Sequence, residues 1–385
     1  MVYDKNFYGI DENYFTKADC LYTAQEIAQQ PMIWKALGFL LSDKKSEIEA
    51  FHQRLGPLDK IRIIFTGAGS SAFIGDALAP LLAKTSDIKA ESIATTDIVT
   101  SPHEYLFEDI PTLLISFARS GNSPESMGAV IYARKHIKDL YEVAIICDGT
   151  SKLADLTKES EKSLTLVMPE GSCDRGFAMT SSVTCMMLSG FTFFNNSKTE
   201  EIVKDIELLS GNLADASRQY TDIARERAKD GFSRIVYIGS GFLKHIAHEA
   251  ALKMLELTNG TVNGTYESAT GFRHGPKSVI NDETLTVHII SIDPFTALYD
   301  IDLLKEVASE KKQNRIISIG TQDDLIEITS KNYTFAGDLC TGIQSLVFCQ
   351  MFAMFKSIEL GITADNPSPT GEVNRVVKGV TIYDY

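Results

Sequence analysis

The sequence predicts an α/β protein of two tandem domains, each a parallel sheet flanked by helices in a flavodoxin-like three-layer sandwich. Three observations carry that reading. Short β-branched runs alternate with segments of helical period, the pattern of strand and crossover-helix units whose sheets are covered on both faces. The stretch RIIFTGAGSSAFIGDALAPLLA recurs as RIVYIGSGFLKHIAHEAALKMLEL, with Arg62 over Arg234, Gly67 over Gly239 and Gly69 over Gly241, a constant offset of 172. A repeat this long means duplicated domains and not a solenoid. The 385 residues also exceed what one ordinary core holds.

Taken in order, residues 1–44 read as an N-terminal helical segment. From Thr23 to about Leu55 apolar residues recur at three and four, as in EIAQQPMIWKALGFLL, and Lys44, Lys45, Glu47 and Glu49 mark a solvated face. The first domain spans 45–205. KIRIIFT is its first strand, ESIATTDIVT a second, PTLLISF a third and YEVAIICDG a fourth, with helices over SPESMGAVIYARKHI and SKLADLTKES. A helical connector, SKTEEIVKDIELLSGNLADASRQYTDIARERAKD, leads to the second domain at 215–362, where QNRIISIGTQ keeps the 172 offset from YEVAIICDGTS. Residues 363–385 form a tail opened by the turn-rich NPSPTG. TSSVTCMMLSGFTFF and IQSLVFCQMFAMF are interrupted by polar side chains and too short to span a bilayer, so they read as buried helices.

A formal charge of −14 and a pI near 5.0 argue against broad binding to nucleic acid or to anionic membranes, which needs clustered Lys and Arg. The expected partners are small molecules and further copies of the chain. MVYDKNFYGIDENYF lacks the basic and apolar regions of an export signal, so the expected location is the cytoplasm. Cys20, Cys147, Cys173, Cys185, Cys340 and Cys349 form no CxxC pair and read as reduced thiols.

In an open parallel sheet, ligands bind outside the carboxyl ends of the strands. Both TGAGSS (66–71) and ARSGNS (118–123) fall there, each placing Gly and Ser between a strand and a helix. The backbone can approach an anion closely at such a turn, while helix-terminal amides and hydroxyls donate to it. The pair reads as a phosphate cradle, although either loop alone reads equally as a hydroxyl-rich helix cap. It is no dinucleotide fingerprint, because Ala72 stands where the third glycine belongs, and no P-loop, for want of GK[ST].

The second copy has Asp293 and Pro294 where the first has its Ser-Gly donors. Its distinctive residues follow the repeated glycine turn. Lys253 and Glu256, at i and i+3, share a face of an otherwise apolar helix, where a carboxylate is costly unless used or paired. His274 stands in the loop FRHGPK. A carboxylate, a cation and a loop histidine are the components of proton transfer beside a carbonyl. The plainer alternatives are a surface ion pair and a structural histidine. His245, His248 and Glu249 in HIAHE fit neither HExxH nor HxxEH, so no metal site is expected. MTSSVT (179–184) reads either as a capped helix start or, with Asp174, Arg175 and Gly176 before it, as a third loop at the same mouth.

TGAGSS, ARSGNSPES, the ALKMLEL helix and the HGP loop together resemble the SIS (sugar isomerase) domain family over nearly the whole chain. The order of DRGFAMTSS, GFRHGPKS and VNRVVKGV is similar to its amino-sugar phosphate deaminases and ketose/aldose isomerases. The resemblance implies conversion of galactosamine 6-phosphate to tagatose 6-phosphate and ammonia, with the class names isomerase, deaminase and hydrolase, and without cofactor or metal. By position, the related isomerase half of glucosamine-6-phosphate synthase implies phosphate binding by Ser70, Ser71, Ser120 and Ser123. It further implies a base at Glu256, a helical lysine at Lys253, a ring-opening histidine at His274 and a tail lysine at Lys378. Gly69, Asn122, Thr180 and Ser181 would complete the pocket. Ala118 and Arg119 depart from that synthase's serine and glutamine, so a guanidinium joins the phosphate donors. With Val2 after Met1 and no glutaminase domain, ammonia release is the expected direction. The family further implies a homo-oligomer, a dimer or dimer of dimers, in which the HGP loop completes a neighbour's site. Two rivals stay open: a plain ketose/aldose isomerase, and a non-catalytic sugar-phosphate regulator, for which residues 1–50 offer no basic helix-turn-helix.

Overall fold

The computed structural model describes residues 6–7, 9–158, 160–310, 315–321, 324–331, 333–377 and 379–385. They fall into two compact units. One comprises Ile33–Asp174, Ser181–Val203 and Gly371–Tyr385; the other comprises the segment through Met32, Arg175–Thr180 and Lys204–Thr370.

The first unit holds five parallel strands: β1 (Arg62–Thr66), β2 (Ala90–Ser92), β3 (Thr112–Ala118), β4 (Leu140–Ile146) and β5 (Ser163–Val167). Their order is β2-β1-β3-β4-β5. Every residue of β3 is buried, as a central strand covered on both faces requires. Ile64, Leu114, Ala144 and Ile146 from the sheet pack with Ala129, Val130 and Ala133 of helix α2. The crossover helices are α1 (Ser70–Ser86), α2 (Pro124–His136) and α3 (Lys152–Lys158), and α4 (Ser181–Phe194) is buried throughout. Pro124 at the first position of α2 and Ser123 as its cap give that helix a defined start.

Two expectations need correction here. Of ESIATTDIVT (91–100) only Glu91 and Ser92 are strand, at the end of β2, and Thr95–Thr100 is a helix. The amide and hydroxyl of Thr95 both donate to Gly67 O, at 2.7 and 3.1 Å, and Ile98 turns into the core, so tertiary contacts override the β preference of Thr, Ile and Val. The strand β5 was not anticipated, although SLTLV alternates, with Leu164 and Leu166 buried.

The second unit repeats the topology with β6 (Arg234–Gly239), β7 (Asn263–Glu267), β8 (Thr284–Ile289), β9 (Ile316–Gly320) and β10 (Ile328–Thr329), all parallel in the order β7-β6-β8-β9-β10. Its helices include α5 (Phe242–Leu257), α6 (Pro294–Ser309) and α7 (Gly337–Glu359). Ile64 opposes Leu114 as Val236 opposes Thr286, so the first and third strands keep the 172 offset. It does not hold through the fourth: Leu114 opposes Glu142 whereas Thr286 opposes Ile316, an offset of 174. The crossover helix α6 has 16 residues against 13 in α2, which moves the next strand along. Helix α7 is long and apolar enough to cross a membrane, but 94% of its apolar window is buried, as in a core helix.

Candidate active site

In a 2-1-3-4-5 sheet the connections from β1 and β3 leave on opposite faces, and a crevice opens between their carboxyl ends. TGAGSS follows β1 and ARSGNS follows β3, so the fold brings the two predicted loops to one switch point within the first unit. A Cβ on Gly67 would lie 2.6 Å from the carbonyl carbon of Ser71, and Gly69 takes φ +55. Only glycines admit this tight turn. It sets Ser70 and Ser71, both buried, at the positive end of the 17-residue α1.

In the second loop Ser120 is half-buried, and its hydroxyl has one long contact, accepting from Asn122 N at 3.4 Å. Asn122 braces the loop: its amide donates to Ser120 O at 2.8 Å and its oxygen accepts from Lys152 N at 3.1 Å. Ser123 caps α2, accepting from Ser126 N at 3.3 Å and donating to Ser126 Oγ at 2.8 Å. Arg119 is 8% exposed, and its Nη2 donates to Arg375 O at 2.6 Å. Arg375 donates in turn to Asp174 O. The buried carboxylate of Asp174 caps α4, accepting from Ser181 N and Ser182 N at 2.9 Å each and from Ser182 Oγ at 2.5 Å. MTSSVT is therefore a capped helix start, with Thr180 buried beside it.

Within the second unit, α5 begins at Gly241 with φ +58 and ψ −129, against +55 and −130 at Gly69. The loop after β8 differs. Asp293 caps α6, accepting from Phe295 N and Thr296 N at 3.1 and 3.0 Å. Asp338 takes Ser291 Oγ and Ile292 N, both at 3.0 Å. Asp300 takes Ser291 N at 3.0 Å and Ser240 Oγ at 2.5 Å, and burial raises its pKa against the pull of those donors. The donors of this switch point are engaged by the protein's own carboxylates.

Helix α5 carries a cluster of one lysine and two glutamates. Lys253 Nζ lies 2.5 Å from Glu256 Oε2 and 3.3 Å from Glu249 Oε1. The side chains of Lys253 and Glu249 are each 1% exposed, and that of Glu256 is 25% exposed. Burial pulls the Lys253 pKa down, yet the two carboxylates outweigh it and the net shift is upward, so the ammonium stays charged. This is no surface ion pair: one buried cation sits between two carboxylates, of which Glu256 alone opens to solvent. Sequence reasoning had placed Glu249 only in a possible metal motif and missed it here, although its i, i+4 spacing to Lys253 was visible. His248 of that motif stacks on Tyr266 at 3.9 Å between ring centroids. Among the described residues no group of three His, Cys, Asp or Glu is arranged to hold a metal.

His274 is exposed, and among the described residues its ring has no hydrogen-bond partner. Among the described residues no hydrogen bond or ion pair joins it to Lys253 or Glu256. Its loop is held to α6 instead. Arg273 pairs with Glu306 at 2.7 Å and Asp302 at 3.0 Å, and Lys277 pairs with Glu306 and, at 2.5 Å, with Glu310. Lys378 lies outside the described residues.

The SIS domain model matches residues 58–195 and 232–331. A D-galactosamine-6-phosphate deaminase AgaS from Shewanella sp. (strain ANA-3) is 40% identical over 96% of this chain and 94% of its own length. The protein of that name from Escherichia coli is 40% identical over 97% of this chain and 99% of its own. Among solved structures, the tagatose-6-phosphate ketose/aldose isomerase from Escherichia coli superposes with a TM-score of 0.85 at 36% identity, covering 94% of this chain and 96% of that one. With two matched segments that take in both glycine turns, and relatives aligned from end to end, this chain belongs to the SIS domain family.

Proposed function

We propose that the chain is a hexosamine-6-phosphate deaminase and isomerase that converts D-galactosamine 6-phosphate to D-tagatose 6-phosphate and ammonia. The observation that carries this reading is the buried Lys253 between Glu249 and an accessible Glu256, charged machinery that a mere sugar-phosphate sensor does not need. Ser70, Ser71, Ser120 and Ser123 hold the phosphate with Arg119, and Gly69, Asn122, Thr180 and Ser181 shape the surrounding pocket. His274 moves a proton between O5 and O1 as the pyranose opens. Glu256 takes the proton from C2 and returns it to C1, while the ammonium of Lys253, joined by Lys378, stabilises negative charge growing at O1. Protonation at C1 leaves an alkoxide at O1 and an iminium at C2; a proton passes from the nitrogen to O1, and the C2 imine takes up water to give ketose phosphate and ammonia.

With oxygen at C2 the same transfer interconverts aldose and ketose, the second reading, favoured by the name of the solved Escherichia coli relative. Hydrolase is the wrong word: the relatives are named deaminases and isomerases, and the C–N bond is first made an imine by proton transfer. The proposed setting is cytoplasmic, and the proposed assembly is a homo-oligomer, dimer or dimer of dimers. An exposed His274 whose ring has no hydrogen-bond partner among the described residues is what a loop serving a second copy would present.

Galactosamine 6-phosphate, glucosamine 6-phosphate and tagatose 6-phosphate, each followed for ammonia and for ketose or aldose product, test the proposal. Ammonia from the galacto substrate is expected. Interconversion without ammonia supports the second reading, and no turnover of any of the three overturns both.

A further inference from the structure

We propose that Arg375 is a positioning residue for the phosphate subsite, tying Arg119 of the donor loop to the capped start of α4, and that Tyr385 anchors the segment that carries it. The proposal rests on the reading of residues 119–123 as the phosphate loop. Every contact it uses lies within the first unit, to which Gly371–Tyr385 belongs.

Arg375 acts in two directions. Its guanidinium donates from Nε at 3.0 Å, and also from Nη2, to the carbonyl of Asp174, the residue whose carboxylate caps α4. Its own carbonyl accepts from Arg119 Nη2 at 2.6 Å. A long arginine side chain loses rotamer freedom when it must meet an anion in one pose, so fixing it beforehand favours binding. The choice of acceptor matters. The acceptor is a backbone carbonyl, which orients the guanidinium without itself opposing its charge, whereas a carboxylate in that place would compete with a phosphate.

No helix or strand holds residues 371–377 or 379–385, so their position depends on side-chain anchors. Ile382 packs so closely on α2 that a Cβ on Gly128 would lie 3.0 Å from its Cγ2. The Tyr385 ring sits among His103, Tyr132 and His136, with centroids at 4.7, 5.6 and 4.6 Å, and its hydroxyl meets His103 Nδ1. Tyr132 donates its hydroxyl to Tyr383 O. These contacts join the segment to the same apolar cluster that supports β3, the strand from which the donor loop emerges.

Steady-state kinetics on the full chain, with inorganic phosphate as a competitive probe, test this. Arg375→Ala should raise KM and the phosphate inhibition constant about tenfold, the scale of a charged hydrogen bond, with kcat changed less than about twofold. Arg375→Lys, which keeps one donor for the Asp174 carbonyl, should recover part of the loss. Tyr385→Ala, remote from the loop, should raise the same two constants about threefold. Arg119→Ala together with Arg375→Ala should be no worse than Arg119→Ala alone, because one acts through the other. An unchanged KM in Arg375→Ala while Arg119→Ala weakens phosphate overturns the positioning role and leaves the loop reading standing. Additive effects in the double variant overturn it as well. If Arg119→Ala itself leaves phosphate inhibition unaltered, the loop reading falls, and the proposal with it.

Discussion

Gly69 and Gly241 start their helices from nearly the same backbone angles, yet the loops on the neighbouring strands differ. In the first unit five residues, 119–123, separate β3 from Pro124, and they carry an arginine and three hydroxyl or amide side chains. In the second, Asp338, Asp300 and Asp293 accept from Ser291, Ile292, Ser240 and the first turn of α6. The geometry that suits an external anion also suits an internal carboxylate, since both accept from the same donors. A duplicated crevice can therefore be closed by acquiring aspartates while the fold stays intact. The proposed mechanism then puts the chemistry of the second copy elsewhere, on the face of α5 that holds Glu249, Lys253 and Glu256.

That division predicts the largest loss at α5. Glu256→Gln keeps the shape and removes the base, so kcat should fall about 10³-fold or more while inorganic phosphate still binds; retained turnover would remove Glu256 from the mechanism. Lys253→Met should lower both activity and stability. It leaves Glu249 buried without its cation, a loss of about 3–5 kcal/mol read by urea unfolding. A stability change near zero would mean that the pair is solvated in solution.

The fold was legible in the sequence because strand–helix alternation and a duplicated glycine turn are local signals that reinforce each other. What escaped were features decided by distant neighbours. Thr95–Thr100 has strand-like residues but is pinned as a helix by Gly67 O, and β5 is a short edge strand with little burial to mark it. At the site, Lys253 and Glu256 were readable from i, i+3 spacing. Arg375 was not, because it donates to the backbone carbonyl of a residue 201 positions away, and such a contact leaves no pattern in the sequence.

The contrast between the two switch points is sharpened by paired variants. If Ser120 holds the phosphate as proposed, Ser120→Ala should raise KM about tenfold, with kcat and stability unchanged. Asp338→Ala should do the reverse, costing about 1–3 kcal/mol of stability as Ser291 and Ile292 lose their acceptor, with KM unchanged. A shift in KM from Asp338→Ala would mean that the second crevice still meets substrate.

The smallest effect is expected at Glu306, which holds the His274 loop through Arg273 and Lys277. Half-buried surface pairs of this kind contribute at most about 1 kcal/mol, so Glu306→Gln should lower unfolding stability by no more than that. If the loop must be held for His274 to act, kcat should still fall about threefold. The pH dependence supplies the sign. Hydrogen bonds from Lys277 and Arg273 lower the Glu306 pKa, so its contribution is present above the ordinary glutamate value of 4.5 and is lost as the pH falls through the lowered one. Wild type and Glu306→Gln should differ in stability at neutral pH and converge in acid below that value, where both side chains are neutral. A difference that persists in acid would show that Glu306 supports the loop by packing and not by charge.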